Sequence, residues 1–222
     1  MRRVYMAGPD IFRVAWPDMA RKIMSACETW GFEALLPIPV NQSLDRPGVS
    51  GITVPGNAKD AVSVFQSCMD MIRSCDAMVA NITPFRGDEP DSGTVFEIAT
   101  AYAMGKPVVA YTLDTRPTHE RHAHNGSITT NGALMCRSGF LVEQFGLSCN
   151  VMVAQACSAV VFGDAVNGLN TLKNLLAEKR EHVLPVPRVE TFVPRLRGID
   201  PFQNVTDASA QAAADAVTRS IV

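Results

Sequence analysis

The chain has 222 residues, 47% apolar and 19% charged, with 20 basic and 22 acidic residues for a formal charge of −2. Apolar content at that level supplies a buried core and excludes wholesale disorder. A near-neutral balance does not attract a polyanion, which argues against a nucleic-acid or anionic-membrane partner.

In chain order, Val4 to Ala7 predicts a first strand ending at Gly8-Pro9. Arg2 and Arg3 precede it, but Asp10 breaks the run before a signal-peptide stretch can form. Residues 17–30 predict a helix, with Pro17 in its first turn and Gly31 past its end. Glu33 to Leu36 predicts a second strand, stopped by Pro37, and residues 40–56 predict a loop rich in Gly and Pro. A helix over 58–74, a strand over 77–82, a helix over 92–104 closed by Gly105, and a strand over 108–111 follow. Residues 113–139 read as polar and irregular. A short helix near 147–156, a strand over 159–162 and a helix over 165–181 complete the pattern.

Strands this apolar are buried on both faces, and their alternation with helices predicts an α/β fold. Its core is a doubly wound five-stranded parallel sheet with helices on both faces. Residues 1–182 form that domain, and 183–222 are expected to be a C-terminal arm with an Ala-rich helix. Ligands of such sheets bind beyond the carboxyl ends of the strands, so the loops after Ala7, Pro37, Ile82 and Thr112 should rim the site. No apolar run reaches the roughly 18 residues of a membrane span. The six cysteines form no C-x-x-C pair and lie mostly in apolar segments, as reduced thiols do. A cytoplasmic location is expected.

Glu97 is the sole charged residue of the 92–104 helix, set among Val95, Phe96, Ile98 and Ala99, with Asp91 and Ser92 placed to cap it. A carboxylate there either reaches a cleft or is desolvated, and desolvation marks working groups. Asp70 differs: with Lys59, Ser63, Gln66 and Arg73 it falls on one helical face, the pattern of a solvated surface. Gly8 lacks the G-x-G-x-x-G context and no Walker sequence occurs, so a dinucleotide site is not expected. His119, His122 and His124 lie near Asp114 and Glu120, but no strand or helix is predicted to fix them as ligands, so no metal is expected.

Taken together, several ordered stretches resemble the nucleoside 2-deoxyribosyltransferases. They are Tyr5-Met6-Ala7-Gly8-Pro9-Asp10-Ile11-Phe12, Asp70, Cys75-Asp76-Ala77 through Gly87, Asp91-Ser92-Gly93-Thr94 to Glu97, and Gly105-Lys106-Pro107-Val108. The resemblance covers most of residues 3–162. It implies a flavodoxin-like sheet and an enzyme that moves a 2-deoxyribosyl group between nucleobases without a cofactor. By position it makes Glu97 the nucleophile and Asp70 the acid that protonates the departing base, against the reading of Asp70 from periodicity. It makes Tyr5 the residue that orients the nucleophile, and Asp91 and Asn150 the residues that hold the sugar hydroxyls. Gln42 falls near a base-contacting position, and Gly8, Phe12, Ser92 and Gly93 lie in matched segments expected to line the substrate. A homodimer or higher homo-oligomer acting on a deoxynucleoside and a free base is the corresponding expectation.

The chemistry agrees with the isolated Glu97. When a base leaves, C1′ gains positive charge, and a carboxylate beneath it stabilises that charge and can form a glycosyl ester. Two other readings use the same residues. One is a hydrolase of deoxynucleoside 5′-monophosphates, whose members tend to carry serine at the Asp91 position. The other is a non-catalytic nucleotide-binding module.

Overall fold

The computed structural model describes residues 1–13, 15–37, 58–124, 126, 128–130 and 133–181. The expected 40–56 loop, Gln42 and the expected 183–222 arm lie outside the described residues.

Five strands form the central sheet: β1 (Arg2–Ala7), β2 (Phe32–Leu35), β3 (Ala77–Asn81), β4 (Val108–Thr112) and β7 (Ala159–Phe162). Their spatial order is β2-β1-β3-β4-β7, and every pairing is parallel. That order reverses direction at β1 and β3, the flavodoxin-like arrangement. The helices are α1 (Trp16–Thr29), α2 (Ala58–Ser74), α3 (Ser92–Ala103), α4 (Thr118–His124), α5 (Val151–Ala156) and α6 (Ala165–Glu181). A short 3-10 turn spans Pro9–Phe12.

Side chains alternate across a strand, so each strand feeds two cores. Val4, Met6, Ala77, Val79 and Val109 pack with Trp16, Ile23, Leu169 and Leu172. Tyr5, Ala7, Met78, Ala80 and Ala110 face the other way, onto Ile72, Ile98, Ala101 and Val153. This alternation sends the Tyr5 ring to the side of α2 and α3.

The polar 113–139 stretch departs from the expectation of irregular chain. It contains α4 and a small antiparallel hairpin of β5 (Ile128–Thr130) and β6 (Ala133–Met135). The sequence of α4, Thr-His-Glu-Arg-His-Ala-His, has no apolar stripe, so periodicity cannot reveal it. A buried cation holds it instead. Arg121 is 1% exposed and donates to the carbonyls of Asp88 (2.9 Å), Arg116 (2.7 Å) and Ser148 (2.8 Å). The helix expected near 147–156 begins only at Val151, because Asn150 is its cap rather than an interior residue.

Candidate active site

The turn after β1 opens the site. Gly8 has φ 151°, and a Cβ there would lie 2.7 Å from Asn81 Cβ, so only glycine lets the turn pass this close to β3. Behind it, the buried Asp10 carboxylate accepts from Asn81 Nδ2 (2.8 Å), Tyr111 Oη (3.3 Å) and Arg13 Nε (3.2 Å). This network fixes the turn that carries Ile11 and Phe12. Phe12 then stacks on Phe85 at 5.4 Å, with the Arg86 guanidinium 5.1 Å and 4.5 Å from the two ring centres.

The second wall is the start of α3. Asp91 is its cap: Oδ2 accepts from Thr94 N at 2.9 Å and from Thr94 Oγ1 at 3.0 Å. One turn further on, Glu97 points back to the sheet, where Tyr5 Oη donates to Oε1 at 2.6 Å. That is the short range of a hydroxyl bound to a carboxylate. Burial pushes the Glu97 carboxyl up from 4.5 to about 7; the Tyr5 hydrogen bond opposes this and the nearby Asp91 charge adds to it. Burial, followed by the Glu97 charge, drives Tyr5 far above the usual phenol range, so its one proton stays in place to be donated.

A cleft of about 200 Å³ lies between these walls and α2. Gly8, Ile11, Phe12 and Pro37 line one side, Val64, Ser67 and Cys68 of α2 another, and Asp91, Gly93, Thr94 and Glu97 the third. Tyr5, Glu97, Asp91, Gly8, Phe12 and Gly93 are therefore brought together as the sequence suggested. Other expected residues are not. The Asp70 side chain is 72% exposed, paired with Arg73 at 2.8 Å, and outside the cleft lining. Ser92 is the exposed first residue of α3 and does not line the cleft. Asn150 caps α5 through Met152 N (3.0 Å) and donates to Glu143 (2.9 Å), also away from this chain's cleft. Among the described residues no three metal-binding side chains converge; His122 instead faces Asp88 and Glu89 at 3.6 Å each.

A desolvated carboxylate held by a tyrosine at a sheet switch point, with a second carboxylate capping the same helix, is consistent with glycosyl transfer, and comparison with known proteins decides the family. The family profile of nucleoside 2-deoxyribosyltransferases matches residues 4–152. The chain belongs to that family. Among solved structures it is similar to a 2-desoxiribosyltransferase from Leishmania mexicana, at 28% identity and TM-score 0.56, over 83% of this chain and 100% of that one. A 2-deoxyribosyltransferase from Bacillus psychrosaccharolyticus is 18% identical with TM-score 0.46, over 78% and 90%. An uncharacterized Schizosaccharomyces pombe protein is 24% identical over 119 residues, 53% of each chain, so the chain spans about half the length of this curated relative.

Two residues escaped the sequence reading: Cys68, which lines the cleft, and Arg121, which lies outside it and holds α4. Cys68 lies four residues before the fully buried Ile72 and four after Val64, so helical spacing turns it inward. Attention to that stripe would have found it. Arg121 carried no such signal, because a lone arginine in a polar segment reads as surface.

Proposed function

We propose that the chain is a nucleoside 2-deoxyribosyltransferase that exchanges the nucleobase of 2′-deoxynucleosides through a covalent glycosyl-glutamate. The observation that carries this reading is the 2.6 Å Tyr5–Glu97 bond at the foot of a cleft rimmed by Asp91. Tyr5 holds one carboxylate oxygen, which leaves Oε2 to meet C1′. Water competes for the glycosyl ester, and the apolar wall of Ile11, Phe12, Pro37 and Val64 restricts its access. The free Asp91 oxygen, Oδ1, is available to a sugar hydroxyl while Oδ2 keeps the helix cap.

A homo-oligomer belongs to the same proposal. Phe96 (51% exposed), Tyr102 (59%) and Met152 (76%) leave α3 and α5 with an apolar outer face. A second copy seated there would cover it and could supply the Asn150 that this chain's own cleft lacks. Incubation with deoxyinosine and free adenine, read by chromatography, tests the activity. Deoxyadenosine formation supports exchange, hypoxanthine release without exchange supports the hydrolase reading, and no reaction supports a binding module.

A further inference from the structure

Phe12 forms part of the apolar wall of the cleft, and what stands behind its ring decides how firm that wall is. The residue is 41% exposed, and its ring separates the cleft from a second cavity of about 220 Å³, which Arg13, Asn81, Thr83 and Phe85 also line. The Asp10 network fixes the backbone of the turn but does not reach the ring. A phenyl ring with a cavity on either side can change rotamer and turn from one into the other. Two groups stand against that motion. The Phe85 ring stacks on Phe12 at 5.4 Å, and the Arg86 guanidinium lies 5.1 Å from the Phe12 centre and 4.5 Å from the Phe85 centre. Arg86 is brought there against its backbone preference. Its φ is 54°, and among the described residues no other non-glycine residue has a positive φ. Side chains rarely adopt this left-handed conformation, which persists where surrounding contacts over-determine it. The loop around it is closed by Phe85 N donating to Glu89 O at 3.0 Å. Arg86 forms no salt bridge with a described residue, so the guanidinium is engaged with the two rings.

Resting on the functional reading above, we propose that Arg86 is a positioning residue: its guanidinium pins the Phe12 ring in place as the wall against which the nucleobase lies. Asp91 takes the sugar end of the cleft, which leaves the apolar end of Phe12, Pro37 and Val64 to the flat base. A guanidinium is planar and stays charged throughout the working pH range, so it can rest against two aromatic rings at once. With Arg86 in place, Phe12 gives the base a fixed surface and shields the glycosyl ester while one base leaves and another enters. Without it, the ring turns into the second cavity, the base loses a contact and water gains a path. The base touches Phe12 alike before and during bond cleavage, so losing that contact weakens binding without slowing the chemistry.

Asparagine tolerates the left-handed backbone, so Arg86→Asn keeps the loop and removes the guanidinium. Its KM for deoxyinosine should rise about fivefold while kcat changes by less than about twofold. With adenine as acceptor, free deoxyribose formed per exchanged nucleoside should rise at least about threefold. KM and the product ratio do not depend on how much of the protein is folded, so a loss of stability alone would not move them. Arg86→Lys keeps the charge but not the plane, and should fall between Arg86→Asn and the wild type on both. On a Phe12→Leu background, Arg86→Asn should add less than about twofold to KM, because the ring through which it acts has gone. An unchanged KM and product ratio in Arg86→Asn, or the same rise on the Phe12→Leu background, overturns the role of Arg86 and leaves the functional reading intact. A wild type that forms no exchanged nucleoside overturns the functional reading, and the role of Arg86 with it.

Discussion

Glu97→Gln separates the energetics of the site from its chemistry in one protein. Glutamine keeps the shape and can still accept the Tyr5 hydroxyl, but it cannot ionise. In the folded chain burial raises the Glu97 carboxyl from 4.5 to about 7. The fold therefore favours the protonated form. Its contribution is fully present below pH 4.5 and is lost as pH rises through about 7. Each pH unit in that window is worth about 1.4 kcal/mol, so ionisation costs the fold at most about 3 kcal/mol by pH 8. The stability gap between Glu97→Gln and wild type should accordingly widen by roughly 2–3 kcal/mol between pH 4.5 and pH 8, in favour of the variant. Urea unfolding at the two pH values measures it, and comparing the gaps cancels any effect of glutamine that does not depend on pH. Base exchange should meanwhile fall by at least about 10³-fold. A gap that stays constant with pH would mean that Glu97 is not desolvated, and the electrostatic account of the site would fail.

Three further outcomes are expected. Asp70→Asn keeps the side chain's shape but cannot donate a proton, so hypoxanthine release should fall more than release of a nitrophenolate that leaves unaided; equal loss on both would give Asp70 a structural role, through its pair with Arg73. Asp91 should repel a 5′-phosphate by roughly 4 kcal/mol at about 4 Å and an effective dielectric near 20, so wild-type kcat/KM should strongly favour deoxyguanosine over its 5′-monophosphate, and Asp91→Ser should narrow the ratio. Mixing inactive Glu97→Ala with inactive Asn150→Ala should restore exchange if Asn150 serves a neighbouring subunit; no recovery after verified subunit exchange would place Asn150 outside any shared site.

Much of the fold was legible because its central strands are almost wholly apolar: the Val4–Ala7, Ala77–Ile82 (Asn81 apart) and Val108–Tyr111 runs have one plausible place, the middle of a parallel sheet. Glu97 was legible for the converse reason, as a lone charge on an apolar helix. Asp70 exposes a tension between two kinds of reading. Periodicity puts it on a wet face, where its side chain pairs with Arg73, whereas the family resemblance, by position, gives it the role of acid. Cys68, two residues away, drew no attention because thiols also fill ordinary cores. Helix α4 and the hairpin were illegible because they do not depend on an apolar stripe. A single guanidinium, binding carbonyls far apart in sequence, leaves no periodic trace.

The capping of α3 by Asp91 has an evolutionary consequence. The residue proposed to choose between a bare and a phosphorylated sugar also starts the helix that carries Glu97. Loss of such a cap costs typically about 1 kcal/mol, so selection on substrate preference at this position is tied to the stability of the proposed nucleophile's own support. The accessible steps run through the small set of residues that can cap a helix: aspartate, asparagine, serine and threonine. A lineage drifting from one substrate class to the other would cross by one of these, and apolar replacements would be removed for instability before their specificity was ever tried.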